Sequence, residues 1–226
     1  MLICPSAPPG LTSAGLLLLA LLGLPAGPLG AADLSQQRDD FLAAEAALRK
    51  GDSASYIPLR AKLQNYPLFP YLEYAEAQPG KNEQVDAFLA KYTKTPLDYD
   101  LRRRQLKLLA EKKDWKTFLS YWQETSNTEM QCLRLQGLIA TGQAELAQKQ
   151  GAKIWLHGDA LPDSCDPVFE HMQKAGKLSR QLVWDRIDLF REGDADNRTA
   201  MMKYLRRFLP ATDNPWHDLW MLSLTQ

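Results

Sequence analysis

The sequence lacks an excess of charge of either sign, and it is poor in histidine and cysteine. Its 226 residues contain 27 lysines and arginines against 27 aspartates and glutamates, with three histidines and three cysteines. Because phosphate binding needs a basic surplus, this balance argues against nucleic acid as a partner. The histidines and cysteines show no metal-ligand spacing, and there is no glycine-rich phosphate loop. We therefore predict no metal site and no cofactor.

The sequence also lacks an apolar run long enough to cross a membrane. Leu16–Leu24 is a run of nine residues, whereas a spanning helix needs about 20. Gly30 and Ala32 supply small residues at the two positions that a signal peptidase reads, with the cut directly after the second. We therefore predict a secretory signal over residues 1–32 and a mature domain over residues 33–226, without a transmembrane segment. No lysine or arginine precedes the apolar run, which a mis-assigned start codon would explain. An uncleaved N-terminal anchor is the alternative to a cleaved signal.

Cysteine use agrees with export. Cys4 lies in the predicted signal, so the mature chain keeps Cys132 and Cys165. In an exported protein such a pair indicates one disulfide bond. Closing a loop of about 33 residues would stabilise the fold by roughly 3–4 kcal/mol in the chain-entropy model. Two buried free thiols are the alternative that the spacing alone leaves open.

The spacing of large apolar residues is helical almost throughout the mature chain. Two stripes have the spacing i, i+3, i+4, i+7: Trp115, Phe118, Leu119, Trp122 and Met201, Tyr204, Leu205, Phe208. Glycines recur at predicted helix ends, at positions 142, 158, 176 and 193, with separations of 16, 18 and 17. Two such steps give a helical hairpin of about 34 residues, the size of an α-solenoid repeat. The sequence therefore predicts an all-α superhelix of stacked helical hairpins, with no strand.

Groups that could carry chemistry are few. There is no G-x-S-x-G elbow, and no carboxylate lies in the apolar context that favours acid catalysis. Glu73, between a leucine and a tyrosine, comes closest, and its simpler interpretation is an ordinary helix carboxylate. We therefore predict no catalytic residue. Arg102, Arg103 and Arg104 form a basic stretch on one predicted helix, which is either a solvated face or an electropositive rim that attracts an anionic polymer.

Residues 65–74, NYPLFPYLEY, place two prolines and four aromatic rings within ten positions. Proline disfavours the helical conformation in the residue before it, so Tyr66 and Phe69 are predicted to be extended. Pro70 is well placed to begin the next helix. The predicted structural hinge between stacked helices consists of Tyr66, Pro67, Phe69, Pro70, Tyr71 and Tyr74.

This segment also carries a resemblance to a known family. The pattern Y-P-L-F/Y-P-Y-L-E-Y after a helix resembles the N-terminal superhelical domain of the soluble lytic murein transglycosylases. A second block over residues 129–179 supports it, with a cysteine after a polar helix start, a T-G-Q turn and a P-x-x-C-D motif. In the family the two cysteines pair, so the resemblance implies a disulfide between Cys132 and Cys165. The similarity covers roughly residues 35–210.

The resemblance implies a periplasmic protein whose partner is peptidoglycan. Family members cleave the β-1,4 bond between N-acetylmuramic acid and N-acetylglucosamine and leave a 1,6-anhydromuramoyl end. A single glutamate, in a Glu-Ser motif of a lysozyme-like C-terminal domain, acts as acid and then as base. The present sequence contains no Glu-Ser dipeptide, so that role is carried over to no residue.

The resemblance thus leads us to expect a scaffold. The chain would be the first arc of a helical ring that confines a glycan strand, truncated before the rest of the ring, the linker and the catalytic domain. A free-standing periplasmic helical-repeat adaptor that binds protein or peptidoglycan is the alternative. In either case Trp216, Leu219 and Trp220 lie on a final predicted helix that needs a partner.

Overall fold

The structure is a computed structural model that describes residues 29–190 and 195–223. These residues form twelve α-helices and two short 3-10 helices, with no strand among them, which confirms the all-α prediction. The α-helices are α1 (Leu29–Lys50), α2 (Ser53–Lys62), α3 (Phe69–Glu76), α4 (Asn82–Lys91), α5 (Pro96–Glu111), α6 (Trp115–Tyr121), α7 (Thr128–Ala140), α8 (Ala144–Trp155), α9 (Asp166–Lys174), α10 (Arg180–Leu189), α11 (Ala195–Arg206) and α12 (Asn214–Ser223). The 3-10 helices are Asp163–Cys165 and Ala211–Asp213. Most of the predicted signal, with Cys4, and Gly193 lie outside the described residues.

The chain divides into two compact units between Tyr66 and Pro67, inside the predicted hinge. The first unit contains the hairpin of α1 and α2, which turns at Gly51 with a φ of +71°. Asp52 then caps α2, because its carboxylate accepts a hydrogen bond from the Ser55 N–H at 3.1 Å. A single residue with left-handed backbone, followed by a good N-cap, is enough to reverse the chain.

In the second unit the helices pack in chain order. From α3 to α9 each helix contacts the next, as do the helices from α10 to α12. In addition, α3, α5 and α7 each contact the following odd-numbered helix, and Tyr204 on α11 donates a hydrogen bond to Asp166 on α9. This alternation is what stacked helical hairpins produce, since each repeat buries its apolar face only against its neighbours. The predicted stacking of hairpins is confirmed for this unit.

Helix ends agree with the sequence in part. Gly142 and Gly176 follow α7 and α9 with φ of +85° and +66°, the left-handed conformation that glycine adopts readily. The N-cap of α7 is Asn127, whose side-chain oxygen accepts from the Met130 N–H at 2.9 Å. The chain enters α9 at Asp166 directly from a 3-10 helix.

The largest apolar cluster of the second unit is built around Trp155 at the end of α8. Its fully buried indole packs edge-on against Phe169 and Phe208, with ring centroids 4.9 Å apart in both pairs. The indole Nε1 donates to the Leu182 carbonyl oxygen at 2.9 Å. The guanidinium of Arg186 lies 4.4 Å from the Trp155 ring centroid and is also fully buried. Burial lowers the pKa of Arg186 to about 10.

A buried carboxylate fixes the entry to α12. Asp213 accepts hydrogen bonds from Arg180 Nε at 2.6 Å and from Trp184 Nε1 at 2.7 Å. The hydrogen bond from Trp184, which has the largest effect, and that from Arg180 hold the pKa of Asp213 below its ordinary value of 3.8. A carboxyl with a lowered pKa stabilises the folded state above its unfolded pKa and loses that contribution as the pH falls.

We therefore expect Asp213→Asn to lower the free energy of unfolding at pH 7. The difference from wild type should shrink as the pH falls below 3.8. Urea unfolding at pH 7, 4 and 3, followed by circular dichroism, measures it. The same difference at all three pH values would show that the charge of Asp213 is not what stabilises this region.

Candidate functional site

The predicted basic stretch lies on α5, whose first turn fixes one of its arginines. Thr95 caps α5 by accepting from the Asp98 N–H at 3.2 Å. The buried carboxylate of Asp98 accepts from the Lys94 N–H and from Arg102 Nη2, both at 2.8 Å. Arg102 also donates to the Tyr121 carbonyl oxygen at 3.3 Å. Its guanidinium is thus held by α5 and the end of α6, with 14% of the side chain exposed.

The other two arginines are exposed and bound to neighbouring groups. Arg103 Nη2 pairs with Asp100 Oδ1 at 2.6 Å. Arg104 Nη1 donates to the hydroxyl of Tyr74 at 2.8 Å, and its guanidinium lies 5.7 Å from the Tyr74 ring centroid. The Tyr74 hydroxyl in turn donates to Asp100. The hydrogen bond from Tyr74 is the largest cause that lowers the pKa of Asp100, and the hydrogen bond from Arg103 is the next. The ionised Asp100 carboxylate therefore lies beside the guanidinium groups of both Arg103 and Arg104.

A groove runs between α5 and the irregular segment Trp122–Asn127 that precedes α7. It encloses about 480 Å³. Its residues fall into apolar ones (Pro96, Leu106, Met130), one exposed aromatic (Tyr99), charged ones (Asp100, Arg102, Arg103, Glu124) and uncharged polar ones (Gln123, Thr125, Asn127). An apolar floor with a few polar groups is typical of small-molecule sites. We refer to it as the α5 groove.

A smaller groove of about 300 Å³ borders the same segment at Trp122 and shares Glu124 with the α5 groove. The guanidinium of Arg134 covers the Trp122 ring at 5.3 Å, and Arg134 Nη1 also donates to Gln150 at 2.5 Å. The indole also stacks on Phe118, with centroids 6.2 Å apart. Trp122 thus packs against two side chains of the protein.

The one carboxylate considered for acid chemistry links two helices. Glu73 on α3 accepts from Lys91 Nζ at 2.6 Å and from the Tyr92 hydroxyl, at the end of α4. The Glu73 side chain is 16% exposed, and its hydrogen bond raises the pKa of Lys91. This arrangement fits the interpretation of Glu73 as an ordinary helix carboxylate.

The predicted hinge residues divide between the two units. In the first unit the ring of Tyr66 packs on Phe41, with centroids 5.5 Å apart. In the second, Pro70 occupies the first turn of α3, and Tyr74 packs on Phe88 at 5.9 Å. The other three differ in exposure: Phe69 is buried, Tyr71 is 51% exposed, and Pro67 is exposed. The hinge role itself stays a prediction.

One detail of the predicted hinge is wrong. Phe69 is the first residue of α3 and is not extended. Its side chain is 6% exposed and lies under the ammonium of Lys91, 5.5 Å from the ring centroid. Packing of this ring outweighs the local preference that the following proline imposes.

The two cysteines of the mature chain come together. Cys132 on α7 and Cys165 at the end of a 3-10 helix are both fully buried, and their Cα atoms are 4.8 Å apart. This separation lies within the range that a disulfide spans, and the sulfur atoms are at bonding distance. The geometry agrees with the predicted pairing, which would join α7 to the start of α9.

Pairs of tyrosine and carboxylate connect distant helices, and no local pattern in the sequence predicts them. Tyr121 donates to Asp86, and Tyr204 donates to Asp166, both at 2.6 Å. The partners are 35 and 38 residues apart in sequence, too far for any local spacing rule. Burial has the largest effect and these hydrogen bonds the next, and both raise the pKa of the two tyrosines. Their hydroxyls therefore stay protonated and act as donors.

Two classes of site are not found in the part of the chain that the structure describes. No three histidine, cysteine, aspartate or glutamate side chains cluster as metal ligands there. Among the same residues, no helix combines the length and the apolar character needed to span a bilayer.

These features define a helical-repeat protein with a groove on one stack of helices and no clustered metal ligands among its described residues. No protein-family model matches the chain. The soluble lytic murein transglycosylases of Salmonella typhimurium and Escherichia coli are both 30% identical to it over 154 residues. The match covers 66% of this chain and 23% of each relative.

Solved structures give the same result. The lytic transglycosylase Slt of Pseudomonas aeruginosa, in an inactive mutant, matches with a TM-score of 0.68 and 33% identity, over 83% of this chain and 31% of that one. The 70-kDa soluble lytic transglycosylase of Escherichia coli matches with a TM-score of 0.73 and 25% identity, over 85% and 32% of the two chains. The chain therefore spans about a quarter to a third of these relatives. The resemblance seen in the sequence is confirmed: the chain is related to the soluble lytic murein transglycosylases.

Proposed function

We propose that this chain is the N-terminal superhelical part of a periplasmic peptidoglycan lytic transglycosylase. It acts as a scaffold that confines a glycan strand, and it contains no catalytic glutamate. The observation that carries this proposal is the match to murein transglycosylases, which extends over 154 residues and corresponds to only 23% of their length. The remaining part of such a protein would supply the lytic chemistry.

The carboxylates of the second unit support a role without catalysis. The best-buried ones are engaged in links between or within helices: Asp98 with Arg102, and Asp213 with Arg180 and Trp184. General acid catalysis needs a carboxyl within reach of substrate and a pKa near the working pH. Asp98 and Asp213 are each held by an arginine in the interior of the helical stack, which fits a structural role.

Export to the periplasm is part of the proposal. The apolar run before Gly30 supports it at the level of sequence, and the buried cysteine pair supports it at the level of structure. Disulfides persist in oxidising compartments such as the bacterial periplasm.

Binding to purified peptidoglycan sacculi tests the scaffold role. The chain from Asp33 onward should sediment with sacculi at low salt. Arg103→Gln should reduce the bound fraction about twofold to fivefold, because it breaks the exposed pair with Asp100 at the surface of α5. Arg206→Gln is a matched control, because Arg206 is also exposed, by 47% against 48%, and is also paired with an aspartate.

The two arginine variants separate specific from general electrostatic binding. Equal loss in both would mean that any positive charge suffices, and α5 would then have no special part in binding. If the chain did not sediment with sacculi at all, the scaffold proposal would fail.

A second candidate function is a periplasmic adaptor for another protein. It is favoured by α12, where Trp216 and Leu219 lie three positions apart and are 64% and 59% exposed. Large apolar residues exposed on one helix face commonly mark an interaction surface. The adaptor function would be supported if sacculi did not bind the chain while a defined protein complex formed with wild type and was lost in Trp216→Ser.

A further inference from the structure

The α5 groove has the surface chemistry of a saccharide subsite. Leu106 and Met130 form part of an apolar floor, and Tyr99 on α5 lines the same groove with 58% of its surface exposed. An exposed tyrosine combines an apolar ring face with a polar tip. The apolar faces of pyranose rings and the methyl groups of acetamides pack well on such surfaces.

The opposite wall supplies planar hydrogen-bonding groups. Gln123, Glu124 and Asn127 are exposed and line the groove. Amide side chains offer paired donors and acceptors, and a carboxylate offers two acceptor oxygens. Asn127 already accepts the Met130 N–H through its oxygen, which leaves its amide NH₂ to donate. These groups match the hydroxyls and acetamide groups of an amino sugar.

The charge of the groove argues against an anionic ligand. Its charged lining residues are two arginines, Arg102 and Arg103, and two acids, Asp100 and Glu124, which sum to zero. Both arginines are already paired, with Asp98 and Asp100 at 2.8 and 2.6 Å. The Glu124 carboxylate accepts only a neutral donor, the Trp122 indole N–H at 3.4 Å, among the hydrogen bonds of the described residues. An anion would therefore meet this negative charge without a spare positive charge in the groove, whereas an uncharged ligand meets no such penalty.

We propose that the α5 groove binds an uncharged N-acetylated saccharide, with the ring of Tyr99 as its stacking surface. The proposal rests on the proposed function, since it names the part of a glycan strand that this scaffold would hold. It also changes the role of the basic stretch: Arg102 and Arg103 shape the groove through their aspartate pairs and do not attract an anionic polymer there.

Titration with tetra-N-acetylchitotetraose tests the site. In ¹H–¹⁵N spectra of the full mature chain, we expect the shifts to be confined to residues around the α5 groove. Tyr99→Ala should weaken binding at least roughly fivefold, from the loss of one aromatic contact. Tyr71→Ala is the matched control, since Tyr71 is 51% exposed and is not among the groove residues; its affinity should equal that of wild type. Thermal unfolding of both variants verifies their folding.

Two further results would overturn the inference. Equal binding of maltotetraose, which lacks acetamide groups, would remove the claim for N-acetylated sugars. Chemical-shift changes outside the α5 groove, or equal saccharide affinity of Tyr99→Ala and wild type, would show that the saccharide does not bind in the α5 groove. If sacculi still bound the chain in either case, the scaffold proposal would stand and only this subsite would be lost; if sacculi did not bind, both proposals would fail.

Discussion

Trp155→Ala is expected to lower the free energy of unfolding by about 3–5 kcal/mol, the range for a large aromatic side chain removed from a packed core. The indole is fully buried, and it contacts Phe169 and Phe208 at centroid distances of 4.9 Å. Alanine would also remove the donor to the Leu182 carbonyl oxygen. Urea unfolding followed by far-ultraviolet circular dichroism measures the loss.

The size of this effect depends on Arg186. Its buried Nε and Nη1 atoms have no hydrogen-bond partner in the described structure. Aromatic faces surround the guanidinium, and Tyr204 and Asp166 also favour its charged form. Replacing buried charged groups by well-packed apolar side chains of similar volume is often neutral or stabilising. We therefore expect Arg186→Met to be tolerated and to reduce the cost of Trp155→Ala. Additive effects in the double variant would contradict this coupling between Trp155 and Arg186.

The double variant Cys132→Ser, Cys165→Ser is expected to lose about 2–5 kcal/mol of stability, the usual cost of removing a native disulfide. The two buried residues are separated by 33 positions, and their bond would join α7 to the segment before α9. The bond would restrict the unfolded chain, and the double substitution would also leave two hydroxyls in an apolar cluster. Guanidinium unfolding without reductant measures the difference.

Reductant provides the control for this prediction. Wild type with dithiothreitol should shift toward the stability of the double variant, and the double variant should not respond. If wild type unfolds at the same denaturant concentration with and without reductant, and thiol titration finds two free cysteines, the predicted disulfide does not form.

The fold could be predicted from the sequence because its signals are local. The apolar stripes on α6 and α11, and glycines such as Gly142 and Gly176, report on single helices and their ends. Stacking then follows, since short amphipathic helices in series bury their faces only against each other. The stripe on α6 nevertheless runs one residue too far, because Trp122 has extended backbone and begins the segment beside the α5 groove.

The candidate site could not be predicted, because it depends on contacts between distant residues. The sequence shows three consecutive arginines, but Arg102 is turned to Asp98, and only tertiary packing brings Arg104 to Tyr74, 30 positions away. The α5 groove brings Tyr99 on α5 together with Glu124 in the irregular segment Trp122–Asn127. No local sequence pattern around Tyr99 distinguishes this exposed side chain from a buried one such as Tyr121.

The release of soluble sugar fragments is the most direct test of the central claim, that this chain holds peptidoglycan and does not cleave it. The full mature chain is incubated with purified sacculi, the sacculi are pelleted, and the supernatant is analysed by mass spectrometry for 1,6-anhydromuropeptides. We predict that the chain pellets with the sacculi and that the supernatant contains no more anhydro product than a sample without protein. Anhydromuropeptides that increase with time and with protein concentration would contradict the account.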